Sequence, residues 1–339
     1  MGVQPLVQSR ADQRRFVDRA RETDAIIGAV ATSQPVLVLG ERGSGRSSLL
    51  NHVAWRLAHQ TESRECVIVT GELASNPPQL LGVLVARIQR IAEPTGSRTL
   101  WIDDLRALSM PDGPFGQVAQ PAILMELIDL LGERLNALER PVCVMVDGIA
   151  PTVAHGVFGS LRNELWALPD VAWVVAGDSA AETLYLEPPA DAFFEHTVKL
   201  GPLSDADAAK LLHAHVPGLA DAVAERATSV AGGNPRRLLR AAADIEAGIV
   251  PTSSPGDQLA KQASVIAGPL AGALVEYLAE YGSAAASDEA LLRQIGASRQ
   301  RASQLMHALE SAGLIETIEQ HEPGRRGRPP RRFALRTSE

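Results

Sequence analysis

Residues 34–58 read QPVLVLGERGSGRSSLLNHVAWRLA. The unbroken apolar run VLVL at 36–39 fits a strand covered on both faces, and the stretch after Ser47 repeats apolar residues at helical spacing (Leu49, Leu50, Val53, Ala54, Leu57). A buried strand that turns through three glycines straight into an amphipathic helix belongs to a parallel sheet with helical crossovers. Gly40, Gly43 and Gly45 let the backbone wrap an anion with its N–H groups, and Ser47 opens a helix whose positive end faces the same point. Written out, G-E-R-G-S-G-R-S fits the phosphate-loop pattern G-x-x-x-x-G-K-[ST] except at Arg46, where a lysine belongs. The candidate nucleotide contacts are therefore Gly40, Gly43, Ser44, Gly45, Arg46, Ser47 and Ser48. The plain alternative is a glycine turn that joins strand to helix and holds nothing.

The same alternation continues to about residue 200. Apolar runs at 36–39, 66–70, 142–146, 171–176 and 196–200 read as five strands, and the segments between them, except 93–120, read as amphipathic helices. The fold class is α/β, a parallel five-stranded sheet. Residues 93–120, broken by Pro and Gly, interrupt the rhythm as an irregular insertion. From 204 to 247 the chain is helical, with breaks at VPG and AGGNP, and 249–258 is rich in Pro and Ser. Three further helical stretches (268–281, 288–295, 298–312), then LIETIEQ, a Gly/Arg/Pro segment and RRFAL follow in the order of a winged helix. The expected organisation is a nucleotide-binding core at 1–202, a helical lid at 203–248, a linker at 249–267 and a winged-helix domain at 268–339.

Two more motifs complete the candidate site. VCVMVDG ends an apolar strand on Asp147, where a carboxylate can hold Mg²⁺ together with the Ser47 hydroxyl and would be the catalytic carboxylate of an active site. The next residue is Gly148, which cannot polarise an attacking water. AGGNPRRLLR offers Asn234 as a helix cap, Pro235 in the first turn and Arg236 directed out of that turn.

Together these residues resemble the AAA+ and STAND-type P-loop ATPases, in particular the origin-recognition and initiator-like branch that ends in a winged helix. The resemblance covers nearly the whole chain. FVDRARETDAI at 16–26 looks like that group's N-terminal F-V-G-R-E box, from which Asp18 and Ala20 depart. The resemblance implies ATP or ADP with Mg²⁺ as ligands, Asp178 or Ser179 in the sensor 1 region, Arg236 in the sensor 2 role, and self-association or pairing with another AAA+-type protein. Arginine holds its charge in a planar fork, whereas lysine presents a compact ammonium, so Arg46 neutralises phosphate in a different place. With Gly148, it points to binding with slow or absent hydrolysis. Arg162 is a candidate trans-acting finger, with a solvated helix arginine as the plainer reading.

At the C-terminal end, SDEALLRQIGASRQRASQLMHALESAGLIE carries helix-turn-helix spacing, with Gly296 at the turn and Ser298 capping the second helix. Arg299, Gln300, Arg301 and Gln304 then lie on the exposed start of the helix that would enter the major groove of double-stranded DNA. HEPGRRGRPPRRFAL gathers Arg325, Arg326, Arg328, Arg331 and Arg332, and Arg326-Gly327-Arg328-Pro329 resembles an AT-hook core suited to a narrow minor groove. A winged helix used only for protein contacts and a solvated charged loop are the alternatives.

The net charge of −8 excludes a surface that is basic throughout but not a local patch. Only Lys199, Lys210 and Lys261 among the 32 basic residues are lysine, so a general preference for arginine is one origin for Arg46. Cys66 and Cys143 each sit in a strand-like apolar run, as buried thiols of a reducing compartment do. The start of the sequence lacks an apolar signal core and no run suits a membrane span, so a cytoplasmic protein is expected. Three rival functions stay open: a DNA-stimulated ATPase (initiator, transposition or defence matchmaker), a winged-helix regulator with a vestigial nucleotide site, and an interaction scaffold in which the winged helix binds protein.

Overall fold

The structure, a computed structural model, describes residues 4–59, 64–92, 120–249, 255–318 and 331–336. Strands β1 (Val36–Gly40), β2 (Glu65–Thr70), β3 (Val142–Asp147), β4 (Val171–Asp178) and β5 (His196–Leu200) form one parallel sheet in the order β2-β3-β4-β1-β5. β1 is buried at every residue, as its continuous apolar run requires. β5 lies at the sheet edge, and the exposed His196 and Lys199 discourage another strand from adding there.

Helices α1 (Arg10–Arg15), α2 (Ala20–Ala31), α3 (Arg46–Ala58), α4 (Pro77–Ala92) and α5 (Gln120–Asn136) serve this sheet. On one face, Ile26 and Val30 of α2 and Leu49, Leu50, Val53, Ala54 and Leu57 of α3 pack on Val36, Val38, Cys143, Met145, Ala172 and Val174. Those strand positions alternate, so every second side chain of β1, β3 and β4 points to these helices. Each fully buried leucine contributes about 2 kcal/mol. On the opposite face Trp173 meets Phe158 edge to face at 5.7 Å, and Phe158 in turn touches Phe193 and Phe194.

Asp18 and Arg19, just before α2, both adopt left-handed backbone, with φ of 62° and 65°. That conformation explains why the resembling F-V-G-R-E box has glycine where this chain has Asp18. Buried Arg19 holds the turn by donating to the Gly201 carbonyl and to Glu22 Oε1 at 3.0 Å.

The sheet and its helices end at Leu203, and a second unit begins at Ser204. It contains α6 (Asp205–His215), α7 (Asp221–Ala231), α8 (Pro235–Glu246), α9 (Pro255–Ala267), α10 (Pro269–Tyr281), β6 (Ser283–Ala285), α11 (Glu289–Ile295), α12 (Arg299–Ser311), β7 (Ile315–Ile318) and β8 (Arg332–Leu335). The three strands pair antiparallel in the order β6-β8-β7. The core of this part draws Leu274, Val275 and Leu278 from α10, Leu291 and Ile295 from α11, and Leu305, Met306 and Leu309 from α12.

The structure corrects one expected boundary. The linker does not run to residue 267, because 255–267 form helix α9, packed closely on α10. A β-carbon at Gly272 would overlap Ser264 Oγ and stand 3.0 Å from the Ala260 carbonyl oxygen, so the two backbones approach only because glycine is there. Small residues such as Ala260 and Ala263 make the buried face of α9, and these carry little hydrophobic signal in the sequence. The insertion read at 93–120 lies, except for Gln120, outside the described residues. Among the described residues, no helix is long and apolar enough to cross a membrane.

Candidate functional site

The glycine loop leaves the carboxyl end of β1, the strand at which the chain reverses its order across the sheet. In open α/β sheets that reversal opens a crevice. Gly43 and Gly45 take φ of 83° and 96°, which L side chains resist, and Ser44 N–H closes the turn on the Glu41 carbonyl at 3.0 Å. A side chain at Gly40 would collide with Ser44 Oγ and crowd Leu200. α3 starts at Arg46 with no side-chain cap and no acidic residue in its first turn, so its amino-terminal dipole is uncompensated.

Ser44 Oγ and Arg46 Nη1 in this loop are buried and find no hydrogen-bond partner among the described residues. Leaving such groups unpaired costs about 1–3 kcal/mol each, more for a charged one. Ser48 differs, because its hydroxyl accepts from Leu6 N–H at 3.1 Å. The amino-terminal segment is further tied to α3 by Phe16 stacked on His52 at 4.0 Å. Burial, then the charge of Arg56, lowers the pKa of His52. Ser47 sits in the first turn of α3, and its carbonyl accepts from Asn51 Nδ2 at 2.9 Å.

Strand register carries Asp147 and Asp178 to the same end of the sheet. Gly40 lies opposite Asp178, and Ala176, two residues earlier in β4, lies opposite Asp147. Asp178 Oδ1 accepts from Ala180 N–H at 3.0 Å, which caps the turn Ser179–Ala181.

The loop after Asp147 is pinned by residues that motif reading missed. Buried Tyr185 donates its hydroxyl to the Ile149 carbonyl, and its ring fills the space where Gly177 would carry a side chain. Burial, and then the charge of Asp178, push the Tyr185 phenol above its ordinary pKa, while the nearby Arg46 guanidinium acts in the opposite sense. From the other side Gly71 meets Ile149 so closely that a β-carbon would lie 2.8 Å from its Cα. Gly148 takes φ of 72° in this loop, and Glu72, from the turn after β2, lies against it.

No family model matches the sequence, and no curated protein does. Among solved structures, the chain is similar to the Aeropyrum pernix ORC1 protein in complex with DNA, at 17% identity and a TM-score of 0.52, over 94% of this chain and 89% of that chain. The likeness is one of fold, an α/β chain with a five-stranded parallel sheet. The Aeropyrum pernix ORC2 protein in its ADPNP-ADP complexes superposes less closely, at 13% identity and TM-score 0.49 over 94% of this chain and 90% of that one. Cdc6p from Pyrobaculum aerophilum gives 15% identity and TM-score 0.45 over 98% and 94%.

In the first unit, Arg162 donates to the Gly159 carbonyl at 3.0 Å and so satisfies the backbone beside it. Cys66 and Cys143 face each other across β2 and β3 as free thiols, and their mutual hydrogen bond and burial raise the pKa of Cys143. In the second unit, Arg236 is exposed in the first turn of α8, which Asn234 caps by accepting from Arg236 and Arg237 N–H at 3.2 and 3.3 Å.

Arg299, Gln300, Arg301 and Gln304 are all exposed along the start of α12, behind the Ser298 cap, which accepts from Arg301 N–H at 3.2 Å. Arg299 and Gln300 engage no other described side chain, and Arg301 reaches only Gln304, at 3.4 Å. Arg331 is different. Its guanidinium grips Glu310 at 2.9 and 3.1 Å, donates to Thr317 Oγ1 at 2.8 Å and lies over the Phe333 ring at 5.2 Å. Arg325, Arg326 and Arg328 lie outside the described residues.

Proposed function

We propose that this protein is a nucleotide-binding switch that associates with double-stranded DNA and hydrolyses nucleotide slowly. The observation that carries the nucleotide half is that Ser44 Oγ and Arg46 Nη1, inside a loop opened by Gly43 and Gly45, are buried and have no hydrogen-bond partner among the described residues. A cradle of N–H groups at an uncompensated helix start fits a polyphosphate, and ATP or ADP would give both orphaned groups a partner. Ser47 and Asp147 have the hydroxyl and carboxylate chemistry to hold Mg²⁺, which would neutralise phosphate charge when bound. Arg46 would grip phosphate with a planar fork rather than a lysine's compact charge, which favours binding over transfer. Steady turnover above about 0.1 per second, low for an enzyme, would contradict the slow-hydrolysis part.

The DNA half rests on α12. Two arginines in its first turn, with no acid beside them, oppose the helix dipole at a cost of about 0.3–1 kcal/mol each. Such a helix start suits phosphate and base edges, and Arg and Gln are the side chains that read guanine and adenine in the major groove. The elements from α10 to β8 then serve as a winged helix, and Arg325, Arg326 and Arg328, which lie between β7 and β8 in the sequence, are proposed DNA contacts. The ORC1 protein similar in fold is itself described in complex with DNA. Arg236 is the proposed sensor of bound nucleotide, and self-association or pairing with another AAA+-type protein is the proposed assembly.

A switch needs each nucleotide state to favour a different DNA affinity. Duplex binding measured at one fixed salt concentration in ATP·Mg²⁺ and in ADP·Mg²⁺ should differ by about 5-fold or more, the lower end of ordinary coupling energies. Equal affinities in the two nucleotides would leave two independent binding activities and no switch.

A further inference from the structure

Position 148 is where a hydrolytic site of this kind would carry its water-polarising acid, and the backbone there disfavours any side chain, because Gly148 has φ of 72°. The space such a side chain would enter is already filled. A β-carbon at residue 148 would stand 3.1 Å from both Cγ and Oε1 of Glu72 and 3.3 Å from its Cδ. Glu72 comes from the neighbouring strand's end: β2 pairs with β3 so that Thr70 lies opposite Asp147, and the chain continues through Gly71 to Glu72. Two contacts fix Ile149 beside it: Gly71 packs closely on the Ile149 backbone, and the Tyr185 hydroxyl donates to the Ile149 carbonyl. Glu72 is exposed and no cation or hydrogen-bond donor among the described residues engages its carboxylate.

We propose that Glu72 is the catalytic acid–base residue of the nucleotide cleft, delivered from β2 to the place that Gly148 leaves open beside Asp147. This rests on reading the cleft as a nucleotide site. In the step it serves, a water oxygen forms a bond to the γ-phosphorus of ATP as the bond from that phosphorus to the β,γ-bridging oxygen breaks. The bridging oxygen keeps the electron pair and leaves on ADP. Glu72 accepts the proton lost by the water and later passes it to the released phosphate, so no redox partner is required. Gly148 then ceases to be a cause of slow turnover, and Arg46 is left as the departure that sets the rate.

The test compares the full chain with Glu72→Gln, Arg46→Lys and the double variant. Binding is read by thermal shift with ATP·Mg²⁺, and chemistry by whether the nucleotide recovered from the isolated complex is ATP or ADP. Glu72→Gln should bind ATP within about threefold of the parent but retain it as ATP, with turnover down about 100-fold, in the usual range for a lost general base. Arg46→Lys should raise turnover about tenfold or more, and the double variant should lose that gain. Conversion of bound ATP to ADP at the parental rate in Glu72→Gln overturns the proposal, as does an Arg46→Lys protein that binds ATP and never converts it. If none of the proteins shifts with ATP, it is the nucleotide reading beneath the proposal that has failed.

Discussion

The two candidate sites bear their positive charge in opposite ways. In the cleft, Arg46 is half-buried at the start of α3, and its Nη1 is sealed from solvent with no hydrogen-bond partner among the described residues. On α12, Arg299 and Arg301 are exposed to solvent, and Arg301 reaches only Gln304. Both helices begin on arginine with no acid in the first turn, and α8 likewise carries Arg236 and Arg237 in an acid-free first turn. A helix start normally gathers negative charge, so the starts of α3 and α12 suit an anion, whereas at α8 Arg237 already pairs with Glu276 at 3.3 Å. Burial decides which kind of anion. A sealed, preshaped cradle selects a small ligand of fixed geometry, whereas exposed flexible arginines suit a long polyanion whose counterions are released on binding.

The largest effect that separates the regions concerns the exposed arginines. Replacing Arg299 and Arg301 together by alanine should weaken duplex binding by about 2–4 kcal/mol at fixed salt, at about 1–3 kcal/mol for a good base contact and less for a phosphate contact. The plot of log affinity against log salt should flatten by about one for each phosphate no longer neutralised. Arg331→Ala should cost far less in DNA affinity, because Arg331 is committed to Glu310 and Phe333, and should appear instead as a small loss of thermal stability. Equal losses of affinity at Arg299 and Arg331 would erase the distinction between free and committed arginines.

A smaller effect probes the sealed cradle. Ser44→Ala removes a buried hydroxyl that has no partner among the described residues, so the ligand-free protein should gain about 1 kcal/mol of stability in denaturant unfolding while nucleotide affinity falls. A variant that loses stability without ligand would mean that the hydroxyl is satisfied inside the protein.

The smallest effect is a pH dependence confined to the cleft's amino-terminal tie. His52 has a pKa below its ordinary value, so between the unfolded value near 6.5 and the lower folded one the unfolded chain binds more protons. Its contribution is therefore whole above about pH 6.5 and is lost as the pH falls toward the folded pKa. His52→Phe, which keeps the stack on Phe16 but cannot titrate, should flatten that part of the stability profile. An unchanged profile would assign the acid sensitivity to other groups.

How far these sites could be read from sequence depended on whether their chemistry was local. The glycine loop, its strand and the helix after it were legible because a continuous apolar run, closely spaced glycines and helical spacing all fall within residues 34–58. The start of α12 was legible for the same reason, with the Ser298 cap directly before the arginines. Glu72 was not, since it follows the strand beside Asp147 and meets Gly148 only through strand register. Tyr185 was equally hidden, because its partner is a backbone carbonyl. Helix α9 is hard to see in the sequence because alanines and a glycine, rather than large apolar residues, make its packed face. The departure at Asp18 became intelligible only from its φ of 62°.

Thermal unfolding of the full chain with and without ATP·Mg²⁺ tests the central claim most directly. At a nucleotide concentration about 100 times its dissociation constant, a ligand that binds only the folded state adds about 2.7 kcal/mol. This gain should vanish in Gly45→Val, where a β-branched residue cannot take φ of 96°. No stabilisation of the parent protein by ATP or ADP at millimolar concentration would contradict the claim that this cleft is built for nucleotide.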